Sequence, residues 1–135
     1  QRSLEVRERL LQANPESAQA ARDVSVSLER LGDFLARRGL PGDAEKAWGH
    51  YQRSLEVRER LLQANPESAQ AARDVMVSQW KFFEFHRARG DEPAAMQSLT
   101  ACFAMMDSFA RQGRPMDAQM RALYEQLKPV FSRQP

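Results

Sequence analysis

The sequence predicts an all-α fold, a stack of antiparallel helical hairpins with about six helices, and three observations predict it. Residues 1–24 recur letter for letter at 52–75, an offset of 51 residues. A verbatim self-match of that length points to a repeat array, in which like units bury one another's apolar faces. Apolar residues fall at steps of three and four along most segments, and none alternates with period two. Glycine and proline cut the chain at intervals, leaving connections only long enough to turn it back on itself.

Each element follows from these cues. Segment 1–13 copies 52–64. Asn14-Pro15-Glu16-Ser17 reads as a helix start, with Asn14 as N-cap and Pro15 at the first helical position. The second segment, 15–38, carries Ala21, Val24, Leu28, Leu31 and Leu35 on one stripe, with Val26 beside it. Gly39-Leu40-Pro41-Gly42-Asp43 is a stop followed by a new start. The third, 42–64, places Ala44, Trp48, Tyr51, Leu55 and Leu62 on a stripe that Arg58 interrupts. Asn65-Pro66-Glu67-Ser68 repeats the earlier start and opens the fourth, 66–89. The fifth, 93–112, steps through Ala95, Leu99, Cys102, Met106 and Phe109, with a second line of Met96, Phe103 and Ala110. The sixth, 115–131, continues with Met116, Met120, Leu123 and Leu127.

The 135 residues fit one domain: a partial repeat at 1–24, a full repeat at 25–75, and a divergent repeat with a capping helix at 76–135. The chain opens without Met and inside the repeated text, so it is expected to be a fragment of a longer protein. With 20 basic and 18 acidic residues interleaved, the formal net charge is +2. A nucleic-acid binder would more often show a one-sided basic stripe, so nucleic acid is not the expected partner. No apolar run approaches the ~20 residues of a membrane span, and no signal peptide is visible. Cys102 is the only cysteine, which excludes an intrachain disulfide and fits a cytoplasmic setting.

Residues 25–58 resemble a tetratricopeptide (TPR) repeat. The family's pattern of bulky residue, Leu-Gly, large apolar residue, then Ala, aromatic and small residue falls on Leu28, Leu31-Gly32, Leu35, Ala44, Trp48 and Tyr51. In the second unit the same places hold Gln79, Phe82-Phe83, His86, Ala95, Leu99 and Cys102, a poorer match. The family's period is about 34 residues, whereas here it is 51, and a longer second helix accounts for the difference. The resemblance implies a right-handed superhelical stack that presents the inner face of each first helix to a peptide or partner helix. It places Val26, Glu29, Arg30, Asp33 and Arg37 on that face in the first unit, and Val77, Trp80, Lys81, Glu84 and Arg87 in the second. Trp80, standing where the first unit has Glu29, is the candidate anchor, the alternative being that it packs against the capping helix. Gly32 permits close helix approach, whereas Phe83 requires either a wider second hairpin or a side chain that points elsewhere.

No constellation for chemistry can be assembled. His50 and His86 lack a second histidine four residues away, so the helical zinc pattern is missing. Cys102 lies on an apolar stripe with no cation beside it in sequence. No nucleophile–base set is visible, and neither enzymatic activity nor a cofactor is expected. All six methionines lie between 76 and 120, where they suit core filling. The expected function is a protein–protein interaction scaffold. The alternative is self-association, a homodimer formed through the N-terminal end, where Leu4, Val6, Leu10 and Leu11 would leave apolar surface uncovered.

Overall fold

The computed structural model describes residues 15–132. These form five helices: α1 (Pro15–Arg38), α2 (Asp43–Ala64), α3 (Ala69–Ala88), α4 (Glu92–Arg111) and α5 (Ala118–Ser132). The described residues contain no strand. The first predicted segment, 1–13, lies outside them. α1 packs along α2 and α3 along α4, α2 also packs on α3, and α5 sits more lightly on α4. This order is compatible with a stack of helical hairpins. The α1–α2 pair is antiparallel, because Asp43 bonds Arg38, Tyr51 bonds Asp33, and Ser54 and Arg58 bond Ser25.

The turns are built largely as the sequence suggests. Gly39 and Gly42 adopt φ of 65° and 83°, a region that disfavours side chains, and so reverse the chain between α1 and α2. Asp91 caps α4 by accepting from the Ala94 N–H at 3.2 Å, and Asp117 accepts from the Met120 N–H at 2.8 Å as α5 begins. The α2–α3 turn differs from expectation. Asn65 ends α2 instead of starting α3, its N–H donating to the Leu61 and Leu62 carbonyls at 3.1 and 3.2 Å. Ser68 is the N-cap, accepting from the Ala71 N–H at 3.0 Å. Pro66-Glu67-Ser68 therefore turns here, whereas the identical Pro15-Glu16-Ser17 is helical, so context overrides local propensity.

Two clusters form the core. One, between α3, α4 and α5, buries Ala72, Met76, Cys102, Met106, Phe109 and Tyr124. The other, between α1, α2 and α3, buries Leu35, Ala47 and Tyr51 against Trp48, Phe82 and Phe85. The α4 stripe is buried as predicted. Met76, Met105, Met106, Met116 and Met120 fill the first cluster, but Met96 is 46% exposed. The predicted stripe of α1 is only in part its buried face, with Leu35 buried and Ala21 and Leu28 half-buried. Val24 is 52% and Leu31 45% exposed, while Ser25, Gly32 and Leu35 are buried. On α2 the buried line is Ala47, Tyr51, Ser54, Arg58 and Leu61, so Arg58 belongs to the packed face. Hydropathy misplaces both lines because hydrogen bonds, as well as apolar contact, fill the α1–α2 seam.

Candidate interaction groove

α1 and α3 are the helices expected from the resemblance to present a binding face, and the structure shows what joins them. Three polar rungs cross from one to the other. Arg22 donates from Nε to Asp74 Oδ2 at 2.7 Å and from Nη2 to Asp74 Oδ1 at 3.2 Å. Lys81 Nζ donates to Asp33 Oδ2 at 3.1 Å. Between these, Arg58 rises from α2, 3% exposed, and donates to Glu29 Oε1 at 2.6 Å, Ser78 Oγ at 2.9 Å and Ser25 Oγ at 3.1 Å. The rung positions 22, 29 and 33 share one face of α1, and 74, 78 and 81 share one face of α3.

A groove of about 310 Å³ lies beyond the last rung, towards the C-terminal ends of α1 and α3. Leu35, Leu40 and Phe85 supply its apolar surface, and Ala36 and Ala88 line it with small side chains. The Tyr51 hydroxyl donates to Asp33 Oδ1 at 2.7 Å, so Asp33 accepts from both Tyr51 and Lys81. Burial and the Asp33 hydrogen bond push the Tyr51 phenol well above its ordinary range, so it is protonated at any physiological pH. Glu84 and Arg89 mark the rim, with Arg89 5.7 Å from the Phe85 ring centre. A second hollow of similar size near α1's N-terminal half is lined by Arg22 and Asp74, whose charges already satisfy each other.

The structure sorts the predicted partner-binding residues. Glu29, Asp33 and Lys81 are engaged in the rungs, with Asp33 and Lys81 also lining the groove. Glu84 is exposed at the rim. Arg30, Arg37 and Arg87 are exposed, Arg87 lying 5.8 Å from the Phe83 ring centre. Val26 and Val77 are half-buried. Trp80 is also half-buried, packed against the α3–α4–α5 core with its ring centre 5.0 Å from that of Phe83. The self-association residues Leu4, Val6, Leu10 and Leu11 lie outside the described residues.

No protein-family model, curated protein or solved structure matches this chain.

The remaining reactive groups are quiet. Burial pushes the Cys102 thiol up to about 11, and its Sγ–H points to the Met76 carbonyl at 3.6 Å. His50 is lowered by burial and by neighbouring Arg53. His86 lies in the aromatic group around Trp48, with ring centres 4.6 Å apart. Among the described residues no three His, Cys, Asp or Glu side chains gather as metal ligands, and no helix is long and apolar enough to cross a membrane. Sequence reasoning missed the Arg58 hub. One signal was readable. At an offset of 51, Ser25, Glu29, Ser54 and Arg58 become Met76, Trp80, Met105 and Phe109, so a polar set turns apolar together.

Proposed function

We propose that this chain is a TPR-like interaction scaffold, a right-handed superhelical stack that binds a peptide or partner helix between α1 and α3. The observation that carries the reading is the groove itself. Its apolar floor of Leu35, Leu40 and Phe85 is bordered by side chains of both signs, Asp33, Lys81, Glu84 and Arg89. That combination suits a short segment with one apolar anchor and charges of both signs around it. The rungs hold the two walls at fixed spacing, which lowers the ordering cost of binding. The lone buried cysteine is compatible with a reducing compartment, and a cytoplasmic setting is part of the proposal.

A displayed random-peptide library tests this. Enriched peptides should carry an apolar residue flanked by charge. Ala36→Trp, which fills the groove from an exposed position of α1, should weaken their binding at least ~tenfold with helix content unchanged. Equal binding by the Ala36→Trp variant would remove the groove reading. Self-association through the N-terminal end is the second reading, supported by the exposed apolar residues of α1. Sedimentation over a concentration range separates the two.

A further inference from the structure

One face of α1 is apolar and open. Val24 is 52% exposed, Leu31 45% and Phe34 50%, and Ser27 lies among them, also exposed. Their positions, 24, 27, 31 and 34, step by three and four and form one continuous seam. The same seam occurs again in this chain. Adding 51 to each number gives Val75, Ser78, Phe82 and Phe85 on α3, where Val75 and Ser78 are buried, Phe82 and Phe85 are half-buried, and α2 packs on the last three. Val75 is 4% and Ser78 2% exposed. Arg58 donates to Ser78 Oγ, and the Trp48 ring centre stands 4.6 Å from that of Phe82 and 5.3 Å from that of Phe85.

We propose that the open seam of α1 is the docking face for a helix of the α2 type, so that a further unit of the same repeat stacks on this side as α2 stacks on α3. The partner chemistry is read from the internal template. It needs an aromatic residue at the Trp48 place to cover Leu31 and Phe34, and an arginine at the Arg58 place to bond Ser27. Residues 1–13 already carry the arginine as Arg7, because they repeat 52–64 letter for letter. The aromatic part, Trp48, lies in residues 43–51. This inference does not depend on the groove between α1 and α3, which lies on another side of α1.

The test is a chain in which the nine residues 43–51 are fused directly before Gln1, which writes out a complete second copy of 43–64 ahead of α1. The fusion should slow amide exchange across α1 at least ~tenfold relative to the parent chain and raise the midpoint of thermal unfolding by several degrees. Phe34→Glu should abolish both gains in the fusion. In the parent chain, where Phe34 is half in solvent, the same change should leave exchange in α1 within about twofold. Unchanged α1 exchange in a folded fusion would overturn the proposal. So would a dimer of the parent chain that needs Phe34 and persists in the fusion, since the seam would then belong to a second copy. Loss of peptide binding in the Ala36→Trp variant bears on the groove alone, so the two readings fail separately.

Discussion

Arg58 Nη1 stands 2.6 Å from Glu29 Oε1, with 3% of the arginine side chain and 16% of the glutamate exposed. A charge this deep is tolerable only when fully paired. Here the guanidinium also reaches Ser25 Oγ, Ser78 Oγ and the Asp74 carbonyl, so three helices meet on one cation. Arg58→Ala should lower unfolding free energy by about 3–5 kcal/mol, because Glu29 is left without its partner. The second unit shows how the same place is filled without charge, with Phe109, Trp80 and Met76 where Arg58, Glu29 and Ser25 stand. Replacing Ser25, Glu29, Ser54 and Arg58 together by Met, Trp, Met and Phe should recover most of that loss in urea denaturation. No recovery would mean that the 51-residue register does not mark equivalent packing sites.

Gly32 is the second place where the units differ in a compensated way. A Cβ on Gly32 would stand 2.7 Å from Tyr51 Cε1, closer than side-chain carbons approach. The next unit exchanges the sizes, with Phe83 at the glycine place and Cys102 at the tyrosine place. Gly32→Ala should therefore destabilise the fold by about 1–3 kcal/mol through overpacking, despite the gain of up to about 1 kcal/mol in helix propensity. In a double-mutant cycle with Tyr51→Cys, the penalty for Gly32→Ala should largely vanish. A penalty of the same size in both backgrounds would place the strain elsewhere.

What was legible in the sequence depended on what filled each seam. The α4 line from Ala95 to Phe109 was readable because apolar residues dominate it, with Ser98 the one polar residue among those buried on α4, and periodicity detects them. The α1–α2 seam was misread because Ser25, Ser54 and Arg58 count as surface on any hydropathy scale. Their partners lie 16 to 33 residues away in sequence, beyond any local window. Val24 and Leu31 misled in the opposite sense, being exposed although their repeat-mates are covered, Val75 at 4% exposure and Phe82 against Trp48 of α2. Tyr124 was missed because its hydroxyl finds Asp107 across the α4–α5 packing at 2.7 Å, a bond no spacing rule announces. Within the candidate site, Glu29, Asp33 and Lys81 were named through the resemblance, whereas Arg22, Asp74 and Ser78 were not named at all. The Asp33–Lys81 rung, 48 residues apart, could not be read from helical spacing.

Asp43 makes the turn between α1 and α2 sensitive to acid. Arg38 donates to its carboxylate from Nε and Nη2 at 2.7 and 2.8 Å, and the Leu40 N–H donates at 3.0 Å. The Arg38 hydrogen bonds, aided by the Leu40 N–H and opposed by burial, hold Asp43 down from 3.8 to about 2. A carboxyl whose folded pKa lies below its unfolded one binds fewer protons when folded. Its stabilisation is therefore complete above the unfolded value and is lost as pH falls from about 4 through about 2. Asp43→Asn should lower stability at neutral pH, and the gap to the parent chain should close over that window. Denaturant midpoints measured from pH 7 to pH 2 give the answer. A gap that stays constant down to pH 2 would show that the carboxylate charge contributes nothing at this turn.

Cys102 should behave as an inert core residue. It is 1% exposed, sits in the cluster with Met76, Met106 and Phe109, and burial holds its thiol near 11. The thiolate is the reactive form, so a rise from the ordinary value of about 8.5 alone cuts reaction at pH 8 by on the order of 100-fold, before access is counted. Alkylation by iodoacetamide at pH 8 should thus be slower than that of a free thiol by at least ~100-fold, and denaturant should restore the full rate. Because α3 and α4 enclose Cys102 together, the residual rate also reports how often that hairpin opens. Met76→Ala, which removes side-chain bulk beside the thiol, should speed the reaction without touching the α1–α2 seam. A native rate equal to that of a free thiol would mean that α3 and α4 are not held together as the cluster requires.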